Sequence, residues 1–393
     1  MTNWLKQFLP LLLVIGVALA VAVTNIDPRL HFAGWDNIHA EFDLAGYAKQ
    51  VFFGAWNEHQ GLGAPAAQAQ ISEITRLPIL WLLNLMLPAN LVRYAFIFLM
   101  YLVGGVGMYY YLANAWLHKK TKTFKNWLAS VGAIFYLLHI LTLQQFYISF
   151  EMFTVQFAFL PWVLWNLHGL ISNTNAKQLF YFVLLQLLIA PSGHTPTVFY
   201  LAVLLMLGYS FFLAIKKGLV QATITTLMVG LLTLFVNAYW ILPNLYYSFY
   251  HADYVAQSRE NRLFAPESVW SVREAGSFSN LTAGTHYLFN WSDYSFADGE
   301  YQLIFNEWQD HLSQPSVKLT LQVLGVITFL GLLVTLIDKK PGPERFAIAG
   351  MFVFCLVFIW IDLFPTNVVV DQLYQSSSFL EAFRNPFTKL SII

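Results

Sequence analysis

Long apolar segments that carry almost no charge dominate this sequence and restrict it to a helical membrane fold. Inside a bilayer the backbone must satisfy its own hydrogen bonds, which a helix of about 20 apolar residues does. Segments that meet this length, or nearly meet it, occupy residues 5–23, 90–117, 127–148, 152–171, 178–190, 197–215, 219–246, 317–337 and 346–364. The sequence therefore predicts an all-α polytopic membrane protein with about nine transmembrane helices.

The overall composition agrees with this fold class. Of the 393 residues, 58% are hydrophobic and only 11% are charged, whereas soluble domains carry about 25% charged residues. The formal net charge is zero, which argues against a nucleic-acid-binding protein because such proteins need a basic surface. The expected surroundings are a lipid bilayer, with no nucleic acid as a partner.

Two apolar segments need separate interpretation. Residues 78–88, "PILWLLNLMLP", are too short to span a bilayer and are bracketed by prolines, so they predict an interfacial or re-entrant helix. The first apolar run follows Lys6 and ends in "ALAVAV", and a cleaved signal peptide is the alternative to a membrane anchor there. Either outcome leaves residues 24–77 on the same side of the membrane.

Basic loops predict the orientation of the chain. Lysines and arginines cluster in "HKKTKTFK" at 118–125, "KKG" at 216–218 and "DKKPGPER" at 338–345. Because short cytoplasmic loops are enriched in Lys and Arg, the N-terminus is predicted inside and residues 24–77 and 248–316 outside. The chain then divides into a transmembrane module at 1–247, an extracytoplasmic excursion at 248–316 and further transmembrane helices at 317–393.

An acidic stretch opens the first outer loop. The segment "GWDNIHAEFDLAGY", residues 34–47, holds Asp36, Glu41 and Asp43 among aromatic residues. One interpretation is a solvated turn before a helix that begins near Asn37 and has Asp36 or Asn37 as its N-cap. On such a helix Asp43 faces away from Glu41, so at most two acids converge. Carboxylates here also suit a general base toward a hydroxyl, or a pair that holds Mg²⁺ or Mn²⁺ against a phosphate.

Further polar residues are candidates for substrate contacts. Glu58 and His59 would line an acceptor groove or belong to an ordinary polar loop. Arg76 precedes the short apolar segment at headgroup depth, where it would contact a lipid phosphate or snorkel to ordinary headgroups. His194 follows a Pro-Ser-Gly helix break, where freed backbone groups can face a cavity, although a helix-capping role is equally compatible with that position.

Four short motifs and the order of the spans resemble a known superfamily. The motifs are "GWDNIHAEFD" (34–43), "WNEHQGLGAP" (56–65), "SGHTP" (192–196) and "FRNPFTKLS" (383–391). Together with one N-terminal span, a long acidic outer loop and many spans in short hairpins, they resemble the GT-C superfamily of membrane glycosyltransferases. Within it, the bacterial YfhO-like and arabinofuranosyltransferase-like group is the most similar.

The resemblance implies a site and a reaction. An essential first-loop acid matches Asp36, with Glu41 and Asp43 as an alternative ExD pattern. Arg384 would be a phosphate ligand by the resemblance, and an interfacial anchor is the alternative. The implied donor is a sugar on a polyprenyl phosphate, and the acceptor is an extracytoplasmic glycan or lipid whose hydroxyl the carboxylate deprotonates. Some members use Mg²⁺ or Mn²⁺, which Asp36, Glu41 or Asp43 would hold. The implied location is the bacterial cytoplasmic membrane, with the site facing outward.

Two other functional classes remain open for this sequence. A transporter or flippase for lipid-linked sugars would need a polar central cavity, and the main polar residues at mid-depth are Gln144, Gln145, Gln156 and Gln186. A non-catalytic glycan-assembly factor would bind glycan without turnover. A change from carboxylate to amide in the first loop should abolish only the enzyme.

The last residues predict that the chain continues. The segment "AFRNPFTKLSII", residues 382–393, begins with a basic, Pro-punctuated entry and ends on apolar residues, which is typical of the start of a helix. The resemblance also implies additional spans. The expectation is the N-terminal part of a longer protein, and the alternative is a complete nine-span protein with an outward C-terminal tail.

Overall fold

The computed structural model describes most of the chain. The described residues are 3–32, 39–57, 63–65, 69–147, 150–251, 277–285, 292–296, 298–337 and 343–359, with a few isolated short stretches after residue 251. The chain forms two compact units, Met1–Tyr250 and His251–Ser391. The division between them lies close to the predicted end of the N-terminal module.

Helices build almost all of the first unit. They are α1 (Asn3–Asn25), α2 (Leu44–Phe52), α3 (Leu77–Met86), α4 (Ala89–Tyr111), α5 (Lys122–Leu138), α6 (Ile140–Tyr147), α7 (Glu151–Ser172), α8 (Ala176–Ile189), α9 (Pro196–Ala214) and α10 (Leu219–Tyr250). They are connected or extended by short 3₁₀ segments at Gln70–Thr75, Ala190–His194 and Ile215–Lys217 and by a π-helical segment at Leu112–Trp116. Strands β1 (Trp56–Asn57) and β2 (Ala64–Pro65) pair antiparallel.

The second unit is also mainly helical in its described part. It contains α11 (Phe278–Ala283), α12 (Asn306–Ser313), α13 (Pro315–Ile337) and α14 (Pro343–Ile359). A small antiparallel hairpin of β3 (Ser292–Ser295) and β4 (Glu300–Leu303) precedes α12. This hairpin falls in the segment that the sequence predicted as an extracytoplasmic excursion.

Several helices have the length and hydropathy of membrane spans, which confirms an all-α fold of the polytopic membrane class. Six described helices qualify: Gln7–Asn25, Ala89–Trp116, Ala176–His194, Pro196–Lys217, Leu219–Tyr250 and Pro315–Val334. The pair α5 and α6, bent by 45° at His139, would add a seventh. The short apolar run at 178–190 reaches membrane length because a 3₁₀ turn extends α8 to His194.

The predicted count of nine spans is not confirmed among the described residues. Helix α14 is 17 residues long there. Helix α7 is long enough, but it is too polar to qualify as a span. The reason is its position: 17 of its 22 residues are buried, between α4, α8 and α9. A helix enclosed by other helices does not need a uniformly apolar surface toward lipid.

Glycines in α4 permit the close approach of the central helix. A Cβ atom on Gly104 would lie 2.4 Å from the Phe157 ring, and one on Gly107 would lie 2.4 Å from the Trp162 indole. Small residues at such contacts bring helix backbones close together, as is usual in membrane proteins. The α4–α7 contact thus fixes the centre of the first unit.

The first loop begins its helix later than the sequence predicted. Residues 39–43 form a turn, and α2 starts at Leu44 with Asp43 as its N-cap rather than Asp36 or Asn37. The Asp43 carboxylate accepts a hydrogen bond of 2.9 Å from the Gly46 amide. Gly46 suits this contact, since a Cβ there would lie 2.1 Å from the carboxylate. The prediction of a helix near Asn37 is therefore wrong for residues 39–43.

The rest of the first loop is ordered by short elements. The motif at 56–65 forms a hairpin in which Trp56 lies opposite Pro65, with Gly63 at a φ of 99°. Helix α3 coincides closely with the predicted short helix at 78–88. It buries Leu77 and Leu80 and leaves Trp81, Leu82, Leu85 and Met86 exposed. This exposed apolar face is typical of a helix at a membrane interface.

Candidate functional site

A group of buried charges lies where the first loop meets the helix bundle. Glu73 is in the 3₁₀ segment Gln70–Thr75, Arg76 precedes α3, and Arg93 is in the first turns of α4. Glu151 is the first residue of α7, and His194 ends the 3₁₀ turn between α8 and α9. We call these five residues the charge cluster. These charged groups are in contact. The parts of the chain that carry them therefore lie at the same end of the bundle.

Ion pairs connect the members of the charge cluster in a chain. Arg76 Nη1 lies 2.6 Å from Glu73 Oε2, and Arg76 Nη2 lies 3.2 Å from Glu151 Oε1. Arg93 Nη1 lies 2.8 Å from that same Glu151 oxygen. His194 Nδ1 lies 2.9 Å from Glu73 Oε1. Each of these side chains is at most 7% exposed, so the pairs are shielded from water.

Neighbouring groups tie the cluster to the elements around it. The Tyr47 hydroxyl on α2 donates a hydrogen bond to Glu73 Oε2. The Thr75 hydroxyl donates to the Leu187 carbonyl on α8 at 2.7 Å. The Arg76 guanidinium also lies over the Phe96 ring, 4.7 Å from its centre. The first loop is therefore anchored to the bundle by polar contacts around one carboxylate.

Electrostatics keep Glu73 and Arg76 charged. Burial alone raises the pKa of the Glu73 carboxyl, but Arg76, His194 and Tyr47 outweigh burial and lower this pKa to about 2. For Arg76, burial lowers the pKa of the guanidinium, and Glu73, Tyr47 and Glu151 reverse this, so that the net pKa is raised. Burial and the Glu73 charge raise the pKa of Tyr47 well above its usual value. Tyr47 thus remains a neutral donor to an ionised carboxylate.

Glu41 is the first-loop acid that lies beside the cluster. Its side chain is 5% exposed, and the Nδ1 atom of His39 lies 2.9 Å from its Oε1. Its charge is close enough to Arg93 to interact with it. Asp43 is placed differently, because its carboxylate is exposed and caps α2. The two acids of the ExD pattern therefore have separate environments.

The other predicted site residues have mixed outcomes. Arg76 and His194 are brought together, since both contact Glu73. Arg76 does not reach out to headgroups, because its side chain is 4% exposed and paired with two carboxylates. Lying outside the described residues are Asp36, Glu58, His59 and Arg384.

Sequence reasoning missed Glu73, Arg93 and the pairing role of Glu151. A usable signal was present, because Glu73 precedes Arg76 by three residues and Arg93 lies inside an apolar run. Charges that border membrane helices are costly and usually have partners. Glu73 and Arg76 are close in sequence, but Glu151 and His194 lie far along the chain from the residues that they pair with. The signal would therefore have indicated buried pairs without identifying all the partners.

The arrangement has two chemical capacities. Buried, paired charges hold chain segments in one geometry, and removing one partner leaves an uncompensated charge. Groups of perturbed, partly desolvated acids and bases also occur at functional sites. Within the described part of the chain, no three His, Cys, Asp or Glu side chains are placed to hold a metal ion. Asp36, a candidate metal ligand, is not among those residues.

Fold and site together define an all-α protein of the membrane-embedded class with a buried charge cluster next to its first loop. Comparisons of the chain with protein-family models, curated proteins and solved structures found no match. The function must therefore be argued from the site itself.

Proposed function

We propose that the chain is a membrane glycosyltransferase of the GT-C type, similar to the YfhO-like and arabinofuranosyltransferase-like group. It moves a sugar from a polyprenyl-phosphate-linked donor to a glycan or lipid acceptor. One observation carries the proposal: the buried first-loop acid Glu41 lies beside a charge cluster that fixes this loop to the helix bundle. A loop held in this way can keep a carboxylate in position against a substrate that arrives from the lipid.

The proposed reaction assigns the first-loop acids to proton removal. A carboxylate, Asp36 or Glu41, accepts the proton of the acceptor hydroxyl as that oxygen attacks the sugar. Positioned groups of this kind act only if they are fixed relative to the reacting atoms. The ion pairs around Glu73 supply such rigidity to the 3₁₀ segment and, through Tyr47, to α2.

The charge distribution supports an outward-facing site. Lys122 Nζ lies 2.7 Å from Gln7 Oε1 near the start of α1, and Lys217 Nζ lies 2.6 Å from the Ile171 carbonyl near the end of α7. These lysines therefore lie at the end of the bundle opposite to Glu151. Since cytoplasmic loops carry the excess of lysine, we place the charge cluster on the outer side of a bacterial cytoplasmic membrane.

Cysteine labelling tests this orientation. In a variant whose one cysteine, Cys355, is replaced by serine, Asn290→Cys should react with an impermeant maleimide in intact cells. Lys120→Cys should react only after the membrane is opened, because it lies in a basic loop on the inside. Labelling of Lys120→Cys in intact cells, without labelling of Asn290→Cys, would contradict the topology.

A donor panel tests the proposed activity. Purified full chain in lipid nanodiscs is incubated with radiolabelled polyprenyl-phosphate sugars and with candidate lipid and glycan acceptors. We expect transfer of label from at least one donor to an acceptor, with release of polyprenyl phosphate. Binding of a donor without any product, across the panel, would favour the non-catalytic assembly factor.

The transporter or flippase alternative has less support from the bundle interior. Gln156 and Gln186 are fully buried. Gln156 donates to the Val198 carbonyl at 3.1 Å, and Gln186 accepts from Asn237 at 3.4 Å. These side chains join neighbouring helices and do not favour a polar passage. Movement of a labelled lipid-linked sugar across proteoliposomes, without chemical change, would instead support transport.

A further inference from the structure

His194 occupies a fixed position between two membrane-length helices. It ends the 3₁₀ turn Ala190–His194, in which the Ser192 hydroxyl donates to the Ile189 carbonyl at 2.8 Å. The preceding Gly193 lies so close to Trp240 that a Cβ there would be 2.6 Å from the indole. Trp240 is fully buried and cannot easily give way. The turn therefore holds the imidazole with its side chain only 7% exposed.

Glu73 orients the imidazole through one ring nitrogen. Its Oε1 lies 2.9 Å from His194 Nδ1, while its Oε2 is held by Arg76 and Tyr47. The carboxylate therefore cannot rotate away from the ring. A carboxylate at one ring nitrogen fixes the orientation and tautomer of a histidine. Because Nδ1 faces Glu73, the ring nitrogen that points away from this carboxylate is Nε2.

We propose that His194, positioned by Glu73, is the general acid that protonates the departing phosphate in the proposed glycosyl transfer. This inference rests on the proposed function and deepens it. The bond between the anomeric carbon and the phosphate oxygen breaks, and its electron pair stays on that oxygen. The proton on His194 Nε2 moves to the phosphate, while the first-loop carboxylate takes the acceptor proton. The acceptor oxygen forms the new bond to the anomeric carbon, so that atoms, electrons and protons balance.

The chemistry of the leaving group matches an imidazole. A phosphate monoester binds its second proton with a pKa of about 6, so the leaving group takes up a proton near neutral pH. Histidine is the side chain that most often transfers a proton in this pH range. In inverting glycosidases, likewise, one group gives a proton to the leaving group and a second group assists the attacking oxygen.

The pH dependence of turnover tests the assignment. Wild-type kcat should fall on the alkaline side, as is usual for a reaction that needs a general acid. His194→Gln keeps a donor toward Glu73, and we expect it to lower kcat about 100-fold, leave the donor KM nearly unchanged and remove the alkaline decline. Other titratable groups lie on the elements packed around His194: Glu73 and Arg76, Glu151 and His168 on α7, Lys177 and Tyr181 on α8, Tyr200 and Tyr209 on α9, and Tyr239, Tyr246, Tyr247 and Tyr250 on α10. These remain in His194→Gln, so a decline that they cause would persist.

A matched control and a second measurement complete the test. His118→Gln makes the same change beyond the far end of α4, about 35 Å along the chain from the start of that helix, and should leave the profile unchanged. For the wild type, a donor with sulfur as the bridging atom has a less basic leaving group and should show no alkaline decline. This second measurement uses the wild-type protein, so it does not depend on whether a variant folds.

The outcomes separate the two proposals. In one outcome, the wild type transfers sugar while the alkaline decline persists in His194→Gln or with the sulfur-linked donor. That result would overturn the role of His194 and leave the glycosyltransferase proposal standing. No transfer by the wild type from any donor would overturn both. Loss of the alkaline decline in His194→Gln, together with a lowered kcat, would support His194 as the general acid.

Discussion

Replacing Glu151 by glutamine is expected to destabilise the first unit by about 3–5 kcal/mol, the usual cost of breaking a buried ion pair. A single oxygen of Glu151 lies 3.2 Å from Arg76 Nη2 and 2.8 Å from Arg93 Nη1. Glutamine has the same shape but no charge, so it would leave two guanidinium groups buried against one another. Denaturant unfolding of the purified protein in detergent, followed by tryptophan fluorescence, measures this loss.

A control and a double variant separate charge from shape. Glu307→Gln makes the same change on the exposed surface of α12, and should alter the free energy of unfolding by less than about 0.5 kcal/mol. Combining Glu151→Gln with Arg93→Met removes one of the two repelling charges. The double variant should therefore be more stable than Glu151→Gln alone. Additive losses from the two substitutions would show that the ion pair contributes nothing.

The sequence predicted most of the helices because each depends on local composition. Apolar runs of about 20 residues form helices in lipid whatever their neighbours are, and α1, α4, α9, α10 and α13 follow the predicted runs closely. Composition says less where packing decides. Helix α7 does not qualify as a span by composition, and its burial among other helices was not visible in its own residues.

The sequence also contains a signal for the start of α2 that the prediction did not use. Asp43 directly before the apolar-periodic stretch is a recognisable N-cap signal, and it marks the start of α2. The acidic neighbours at Asp36 and Glu41 obscured it.

The charge cluster could not be derived from the sequence, for a geometric reason. Its pairing joins Glu73 to His194 and Arg93 to Glu151, residues far apart in the chain that meet only when α4, α7 and the first loop pack together. Arg76 was identified as a candidate from its sequence position, but its side chain is paired with Glu73 and Glu151 inside the protein. A headgroup contact was the expected environment from sequence position alone.

Removing the first-loop carboxylates should have the largest effect on activity. In the proposed reaction, Asp36→Asn or Glu41→Gln should lower sugar transfer by at least about 100-fold, the effect of losing a general base. Asp36→Asn should change the free energy of unfolding by less than about 0.5 kcal/mol. Glu41→Gln should cost more stability, because Glu41 is buried beside His39 and near Arg93. Initial rates with the donor found in the panel, together with unfolding of each variant, measure both effects.

Asp43→Asn is the matched control for these variants. Asparagine caps a helix about as well as aspartate, so the variant should keep α2 and its transfer rate while losing a charge of the same loop. A loss confined to Asp36→Asn or to Glu41→Gln would identify the base. A comparable loss in Asp43→Asn, with a normal free energy of unfolding, would assign the base to Asp43. Full transfer by all three variants would contradict carboxylate catalysis by this loop, because no first-loop acid would then accept the acceptor's proton.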